Sequence, residues 1–245
     1  MKEQEAVIRQ MILVTDGESN IGGDPISKAK EACQRGIVIN TIGIVDGKMQ
    51  RENPLDEVIN IAKAGGGSYE FSYIDQLYET MQSLTYKTVN ETLQSVVNKQ
   101  LKVVLGHNLE EMAPFERSKI LGHIDRFSEE VTIQCCLLMD CSGSMASKIH
   151  LARHSILDLI HSFQGRRGKV ELAIVAFPGE GKEGYSVIHH FGEEDKNVKE
   201  KLYQMKPRGG TTTAIAIEEG IKLLEALRVG KQKNKQADYV EAYIG

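Results

Sequence analysis

The amino-acid sequence predicts an α/β fold: a doubly wound, mostly parallel six-stranded sheet with one antiparallel edge strand and helices on both faces. Two observations lead to this prediction. Short apolar runs of strand length alternate along the chain with amphipathic segments of helical period, which is typical of parallel strands joined by helical crossovers. Two of the runs are joined only by PGEGKEG at 178–184, which is too short for a helix, so these strands should form an antiparallel hairpin at a sheet edge.

The first part of the chain contains three strand-like runs, with a helix after each of the first two. The first run, QMILVT at 10–15, ends at Asp16-Gly17. Asp24-Pro25 fits the start of a helix, because Asp caps the free N–H groups of the first turn and Pro suits the first helical position. Gly36 fits the end of that helix. The other elements predicted here are a strand at 37–44, a helix from Asn53-Pro54 to the glycines at 65–67, and a short strand at 68–72.

The rest of the chain begins with a long helix, from Ile74 to about Leu105, because apolar residues recur there at three- and four-residue steps. A shorter helix starts near Pro114. The strongest apolar run, VTIQCCLLM at 131–139, ends at Asp140. The remaining predicted elements are a helix over about 146–163, hairpin strands at 169–177 and 185–191, a helix over about 212–227, and a polar tail.

Composition limits the classes of function. The 245 residues are enough for one sizeable core and are compatible with a single domain. A net charge of -4 argues against nucleic acid as the main partner, and the absence of Trp argues against a base-stacking surface. The N-terminal MKEQEAVIRQ lacks the apolar core of a signal peptide, and no stretch is long enough to cross a bilayer. These features predict a cytoplasmic protein without membrane insertion.

The four cysteines fit the same compartment. Cys135, Cys136 and Cys141 lie on one predicted strand and its exit, where neighbours point to opposite faces and suit neither a disulfide framework nor a tetrahedral zinc site. We expect these residues and Cys33 to be small, buried and reduced.

Three fragments carry oxygen ligands at strand ends or just before a helix: DCSGSM at 140–145, GGTTT at 209–213 and TDGE at 15–18. Carboxylates and hydroxyls are hard donors that suit Mg²⁺, Mn²⁺ or Ca²⁺. The two-residue spacing of Asp140, Ser142 and Ser144 can direct three oxygens to one point, and Gly143 would permit the tight turn between them.

These residues resemble the metal-ion-dependent adhesion site (MIDAS) of von Willebrand factor A (VWA) domains. That family has Asp-x-Ser-x-Ser, then a Thr in the loop after the third strand, then an Asp at the end of the fourth strand. The resemblance extends to the surrounding segments and covers most of the chain except roughly 76–130. It implies a site for one divalent cation, with all five ligand positions filled. The matching residues are Asp140, Ser142, Ser144, Thr211 and Asp16.

The order of the segments departs from the family, because the ILVTDGE segment opens this chain instead of following the GGTTT helix. A circular permutation accounts for the difference, since joining the tail to the N-terminus would restore the usual order. In a sheet of order 3-2-1-4-5-6, strands one and four are neighbours, and ligands bind outside their carboxyl ends. If 131–139 is strand one and 10–15 is strand four, Asp140 and Asp16 leave the sheet side by side.

We therefore expect one permuted VWA domain over 1–245. A domain swap, in which 1–110 of one chain completes 115–245 of another, would form the same contacts. The sequence therefore does not distinguish a monomer from a domain-swapped dimer. The chain is also similar to small permuted proteins of spore-forming bacteria, but this similarity does not indicate a function. The predicted parts are 9–75 (the C-terminal half of the VWA fold), 76–130 (a helical connection), 131–228 (the N-terminal half) and 229–245 (the tail).

The resemblance also implies a function. In the family, the hydroxyls bind the metal directly, the aspartates act mainly through water, and one coordination position stays open for a carboxylate of a partner protein. Neutral hydroxyls leave the cation electrophilic, so an incoming Asp or Glu gains a strong charge-assisted contact. The expectation is a metal-dependent protein-binding module and not an enzyme.

Three alternatives remain at the level of sequence. The motif residues are also common helix caps and turn residues, so one alternative is a metal-free structural scaffold. A metal-assisted phosphohydrolase would need a general base, for which His150 and His154 are candidates only by residue type. A scaffold subunit of an ATPase would depend on its partner for nucleotide chemistry, because the chain has no GxxxxGK[ST] loop.

Charged pairs such as Asp56-Glu57 and basic patches at 166–169 and 231–235 are expected to be solvated.

Overall fold

The computed structural model describes residues 6–45 and 55–244. Within them lies a six-stranded sheet with the order β3-β2-β1-β4-β5-β6. All neighbouring strands are parallel except β5 and β6, which form an antiparallel pair at one edge. The predicted fold class is confirmed, including the hairpin. The strands are β1 (Val7–Thr15), β2 (Val38–Ile44), β3 (Gly66–Ser72), β4 (Thr132–Asp140), β5 (Val170–Phe177) and β6 (Ser186–His189).

Helices cover both faces of this sheet because strand side chains alternate between the faces. The described helices are α1 (Pro25–Gln34), α2 (Leu55–Ala64), α3 (Leu77–Leu105), α4 (Pro114–Ser128), α5 (Ile149–Gln164), α6 (Val198–Gln204) and α7 (Thr213–Ile244). Ile12 and Leu137 belong to the apolar core beneath α3, α4, α5 and α6. Met11 and Leu138, one position away on the same strands, belong to the core beneath α1, α2 and α7.

The predicted ends of α1 are confirmed. The side chain of Asp24 accepts a 2.9 Å hydrogen bond from the backbone N–H of Ile26, and Pro25 is the first helical residue. Gly36, just after the helix, has φ +71°, a conformation that residues with a side chain rarely adopt. The predicted start of the next helix at Asn53-Pro54 lies outside the described residues.

Several elements differ from the prediction. Helix α7 continues to Ile244 instead of ending near 227, because its tail consists largely of good helix formers such as Ala, Lys, Gln and Glu. The helix expected over 146–163 begins as a 3-10 turn, Gly143–Ser147, before α5. The short helix α6 is not predicted from the sequence. The 3-10 turn and α6 are short elements, where local signals are weakest.

The prediction that all four cysteines are buried is wrong for Cys33. Cys135, Cys136 and Cys141 are buried and free, whereas Cys33 is free and exposed. The buried residues of α1 are Pro25, Ala29 and Ala32, and Cys33 lies just outside this stripe.

A buried polar network attaches α3 to the sheet. Asn40 of β2 donates from Nδ2 to Thr88 Oγ1 at 2.8 Å, and its Oδ1 accepts from the backbone N–H of Ser68 at 3.0 Å. Gln10 of β1 donates from Nε2 to Thr85 Oγ1 at 3.2 Å. Because buried polar groups are costly unless they are hydrogen-bonded, these contacts fix where α3 sits against β1 and β2. The long connecting helix is therefore a packed layer of the fold.

Candidate metal centre

The candidate site lies where β1 and β4 end. The two strands are parallel neighbours, with Val14 opposite Met139 in register. Asp140 is the last residue of β4, and Asp16 directly follows β1. The expected adjacency of these strands is confirmed, so the chain brings the two aspartates to the same edge of the sheet.

Asp140 is fully buried and is held by hydrogen bonds to both carboxylate oxygens. Oδ2 accepts from Thr15 Oγ1 at 2.6 Å, and Oδ1 accepts from the backbone N–H of Ser142 at 2.7 Å. Burial raises the pKa of Asp140, whereas hydrogen bonds from Thr15 and from the backbone and side chain of Ser142 lower it; the charge of Asp16 adds a smaller increase. An ionised Asp140 is therefore held in one orientation by its donors.

Ser142 and Ser144 connect the two aspartates. Their hydroxyl oxygens are 3.0 Å apart, and Ser144 Oγ donates to Asp16 Oδ1 at 2.6 Å. Ser142 is buried, whereas Ser144 is exposed. The cluster therefore runs from the buried carboxylate of Asp140 to the protein surface at Ser144.

Thr211 lies in the loop between α6 and α7 and is 4% exposed. Its carbonyl oxygen accepts from the N–H groups of Asn20 and Ile21 at 3.1 and 3.2 Å, and its own N–H donates to Asn20 Oδ1 at 2.8 Å. The N–H of Gly143 donates to the carbonyl oxygen of Gly209 at 3.2 Å. These backbone contacts tie the loops after β1, after β4 and before α7 into one surface.

Two glycines make this close approach possible. Gly209 has φ +54°, and a Cβ on Gly210 would lie 2.4 Å from Asn20 Oδ1. The expectation that Gly143 supplies a special turn is wrong. Gly143 begins a 3-10 helix, and a Cβ there would meet only the carbonyl oxygen of Gly209, at an ordinary 3.7 Å.

Lys148 is a charged member of the cluster that the sequence analysis missed. Its Nζ donates to Asp16 Oδ2 at 2.6 Å, and the side chains of Lys148 and Asp16 are 9% and 1% exposed. Lys148 follows Ser144 by four residues, just before α5. The four-residue spacing from Ser144 is a sequence feature that could have placed Lys148 near the cluster, but a lysine beside a helix start is normally interpreted as a solvated charge.

Other charged residues also differ from the sequence-based prediction of solvated charge. Glu57 is half-buried and accepts from the N–H of Ser19 at 2.9 Å, and burial raises its pKa. Arg166 donates to the carbonyl oxygens of Ser128 and Val131, so it supports the backbone near the start of β4. The side chains of Lys231, Lys233 and Lys235 lie outside the description of the structure.

The histidines considered as general bases do not join the cluster. His150 and His154 are both exposed on α5, as predicted for a solvated helix surface. The ring of His154 meets Tyr203 edge-on, with centroids 6.5 Å apart.

The donor chemistry of the cluster fits a divalent cation. Among residues 6–45 and 55–244, no group of three or more His, Cys, Asp or Glu side chains is arranged to hold a metal ion. The candidate set is different, because it combines two carboxylates with hydroxyls. Ser144 gives its proton to Asp16 and so keeps oxygen lone pairs for a ligand. Such hard oxygen donors suit Mg²⁺, Mn²⁺ or Ca²⁺.

Fold and site together define a doubly wound α/β domain with a hydroxyl and carboxylate cluster at the carboxyl ends of its two central strands. Profiles of the von Willebrand factor type A domain match the chain over residues 135–240 and over residues 1–87. The chain belongs to the von Willebrand factor type A domain family. Domains of this family are commonly metal-dependent protein-interaction modules, and most are adhesion or scaffold modules without enzymatic activity.

Similar proteins are known from two bacteria. The uncharacterized protein YabS of Bacillus subtilis (strain 168) is 35% identical over 223 residues, which cover 90% of this chain and 91% of YabS. The uncharacterized protein YwmC of the same organism is 43% identical over 75 residues, covering 29% of this chain and 31% of YwmC. A crystal structure of an uncharacterized protein from Alicyclobacillus acidocaldarius has a TM-score of 0.85 and 35% identity, covering 91% of this chain and 96% of that one.

The Alicyclobacillus structure supports the fold over 91% of this chain. In the described part of the chain, no helix has both the length and the apolar character needed to cross a membrane.

Proposed function

We propose that this chain is a divalent-metal-dependent protein-binding module of the cytoplasm. One Mg²⁺, Mn²⁺ or Ca²⁺ ion is held at a complete MIDAS and engages a carboxylate of a partner protein. The observation that supports this most strongly is the continuous contact from Asp140 through Ser142 and Ser144 to Asp16. The proposed ligand set is Asp140, Ser142, Ser144, Thr211 and Asp16.

Each residue has a distinct task in this proposal. The hydroxyls of Ser142, Ser144 and Thr211 would hold the ion, and the two carboxylates would supply charge and accept protons from bound water or hydroxyls. Thr15 orients Asp140 by donating to Oδ2, so that the carboxylate does not rotate away. The bound ion would supply a Lewis-acidic position for an anionic ligand.

The exposure of Ser144 supports recognition of a partner at the surface. A ligand that reaches Ser144 from solvent meets a site whose negative charge is mostly buried behind the hydroxyls. A carboxylate of the partner then gains a charge-assisted contact to the cation. Aspartate or glutamate is the side chain that matches this geometry.

We further propose that the chain is one circularly permuted domain over 1–245, with halves 9–75 and 131–228 joined by the helical segment 76–130. Glu225 of α7 forms an ion pair with Arg35, and the charge of Arg228 acts on Arg9 of β1. The end of the second half therefore lies beside the start of the first, as expected if a permutation separated them. We favour intramolecular closure over a domain-swapped dimer.

The experiment that tests the metal site is calorimetric titration of Mg²⁺ and Mn²⁺ into chelator-treated protein. Asp16→Ala and Asp140→Ala should each abolish saturable binding, whereas Asp158→Ala, an exposed aspartate of α5, should leave it unchanged. Light scattering on the same samples should give the mass of one chain. A wild-type protein that binds neither cation would contradict the proposal and favour a metal-free scaffold.

Partner recognition requires a second measurement. A set of short peptides containing Glu is compared with the same peptides containing Gln, in Mg²⁺ and in chelator, by fluorescence anisotropy. Binding should need both the carboxylate and the metal and should be lost in Asp140→Ala. Peptide binding that persists in chelator would contradict metal-dependent recognition.

A further inference from the structure

We infer that Lys148 is a tethered cation of this site, which balances Asp16 when no metal is present and competes with a divalent ion for that carboxylate. The inference rests on the metal site proposed above, to which it adds a residue that sets affinity. Lys148 is a positioning residue, because it acts through Asp16.

The contact between Lys148 and Asp16 is buried. The ammonium lies 2.6 Å from Oδ2, and the side chains of Lys148 and Asp16 are 9% and 1% exposed. A carboxylate so removed from water needs a partner, since an isolated buried charge is strongly unfavourable. Lys148 fills that role through Oδ2, and Ser144 donates to the other oxygen. Both oxygens of Asp16 are therefore engaged by groups of the protein itself.

The backbone holds Lys148 in place. Its N–H donates to the carbonyl oxygen of Met145 at 2.9 Å, at the end of the 3-10 turn. Its carbonyl oxygen accepts from the N–H of Ala152 at 3.1 Å, in the first turn of α5. Lys148 thus sits at a fixed junction between the loop that carries Ser142 and Ser144 and the helix that follows, and its ammonium stays within reach of Asp16.

The consequence for metal binding follows from charge. Asp140 and Asp16 together carry two negative charges, and Lys148 reduces the net charge of the three residues to one negative. Affinity for a hard divalent cation rises with the negative charge of its ligands. Lys148 therefore weakens cation binding while it keeps Asp16 oriented, so that the cluster is already assembled when an ion arrives.

Lys148→Met tests the inference, because methionine keeps an unbranched stem and removes the charge. By titration calorimetry, we expect Lys148→Met to bind Mg²⁺ and Mn²⁺ roughly tenfold more tightly than the wild type. In chelator its thermal unfolding midpoint should fall, and Mg²⁺ should restore more of that midpoint than it adds in the wild type. Lys28→Met is the matched control. It removes the same charge from an ion pair with Glu218 on the α1 face, and it should leave cation affinity unchanged.

Lys148→Gln is the second variant, used if Lys148→Met does not fold in chelator. Glutamine can still donate a hydrogen bond to Asp16 without carrying a charge, and it should also bind cations more tightly. Tighter binding by either neutral variant than by the wild type would support the inference. Equal or weaker binding by the variants, with normal binding by the wild type, would overturn the inference alone. An absence of binding in all of these proteins would overturn both the inference and the proposed metal site.

Discussion

Thr15, at the end of β1, and Asp140, at the end of β4, are 125 positions apart in the sequence and are joined by a 2.6 Å hydrogen bond. The same hydroxyl oxygen of Thr15 lies 2.9 Å from the carbonyl oxygen of Gly17. A hydroxyl has one proton, so Thr15 can donate to only one of these oxygens at a time. Because Thr15 donates to the buried carboxylate of Asp140, it belongs to the site, although it is not among the five residues of the motif.

Thr15→Val should destabilise the protein, because valine has the shape of threonine without its hydroxyl. Oδ2 of the buried Asp140 would lose its donor, at an expected cost of about 1–3 kcal/mol in the free energy of unfolding. Urea denaturation in chelator measures this difference. Thr15→Ser, which keeps the hydroxyl, is the control and should lose less. Equal losses in both variants would show that packing and not the hydrogen bond is responsible.

Asp140→Asn should stabilise the metal-free protein and abolish cation binding. The amide can accept from the N–H of Ser142 and donate to Thr15 Oγ1, whose proton then turns to the carbonyl oxygen of Gly17. The variant keeps hydrogen bonds to Ser142 and Thr15 and loses a buried charge whose pKa is raised by burial, so its free energy of unfolding in chelator should be higher than that of the wild type. Urea denaturation in chelator and calorimetry together check both effects. A marked loss of stability in chelator would contradict this account of Asp140.

Thiol labelling of the native protein should modify only Cys33. Burial raises the pKa of both Cys135 and Cys141 to about 12, and it raises the pKa of Cys136 well above its ordinary range, whereas Cys33 is exposed. The three buried thiols stay protonated and inaccessible between pH 7 and 9, so raising the pH across that range should not recruit them. A colorimetric thiol assay should count one reactive group, and none in Cys33→Ser. Any reactive thiol in native Cys33→Ser would contradict the burial of the central strands.

A rearranged chain tests the proposed permutation. Gly245 is joined directly to Met1, and the chain is opened after Gly106, an exposed residue that ends α3 in the left-handed conformation. The ion pair between Glu225 and Arg35 places the helix that leads into the new junction beside the half of the chain that the junction joins to it. We expect a cooperatively unfolding monomer with the cation affinity of the wild type, since new termini are tolerated at exposed turns. Circular dichroism and calorimetry check this outcome, and a chain that does not fold would argue against the proposed relation between the two halves.

The parts of the fold that the sequence predicts are those with local signals. The strands are apolar and short, the helices have a helical period, and the short 178–184 link fixes the antiparallel edge. The adjacency of Asp16 and Asp140 follows from the resemblance to VWA domains, which assigns 131–139 to strand one and 10–15 to strand four, together with a general rule of sheet order. These features hold whatever the exact packing is.

The parts that the sequence does not predict depend on which face of a helix or loop turns inward. Lys148 and Glu57 look like solvated charges until the loops after β1 and β4 are folded against them. The partners of Asn40 lie in α3, and they are recognised only when the position of that helix on the sheet is known. Cys33 is exposed because it falls one residue beyond a buried stripe. Each of these outcomes depends on contacts between residues that are distant in the sequence.

The pairing of β1 with β4 also has a consequence for biosynthesis. β2 follows β1 closely in the sequence and can pair with it soon after synthesis, but the other neighbour of β1, β4, is made only after a further hundred residues or so. At a typical translation rate of roughly 5–20 residues per second, the side of β1 that pairs with β4 remains unpaired for on the order of ten seconds. Throughout that interval the nascent chain presents an unpaired strand edge, which favours pairing with another chain. Synthesis of this protein therefore includes a period in which a chaperone, or a neighbouring nascent chain on the same messenger, has access to the edge that β4 later covers.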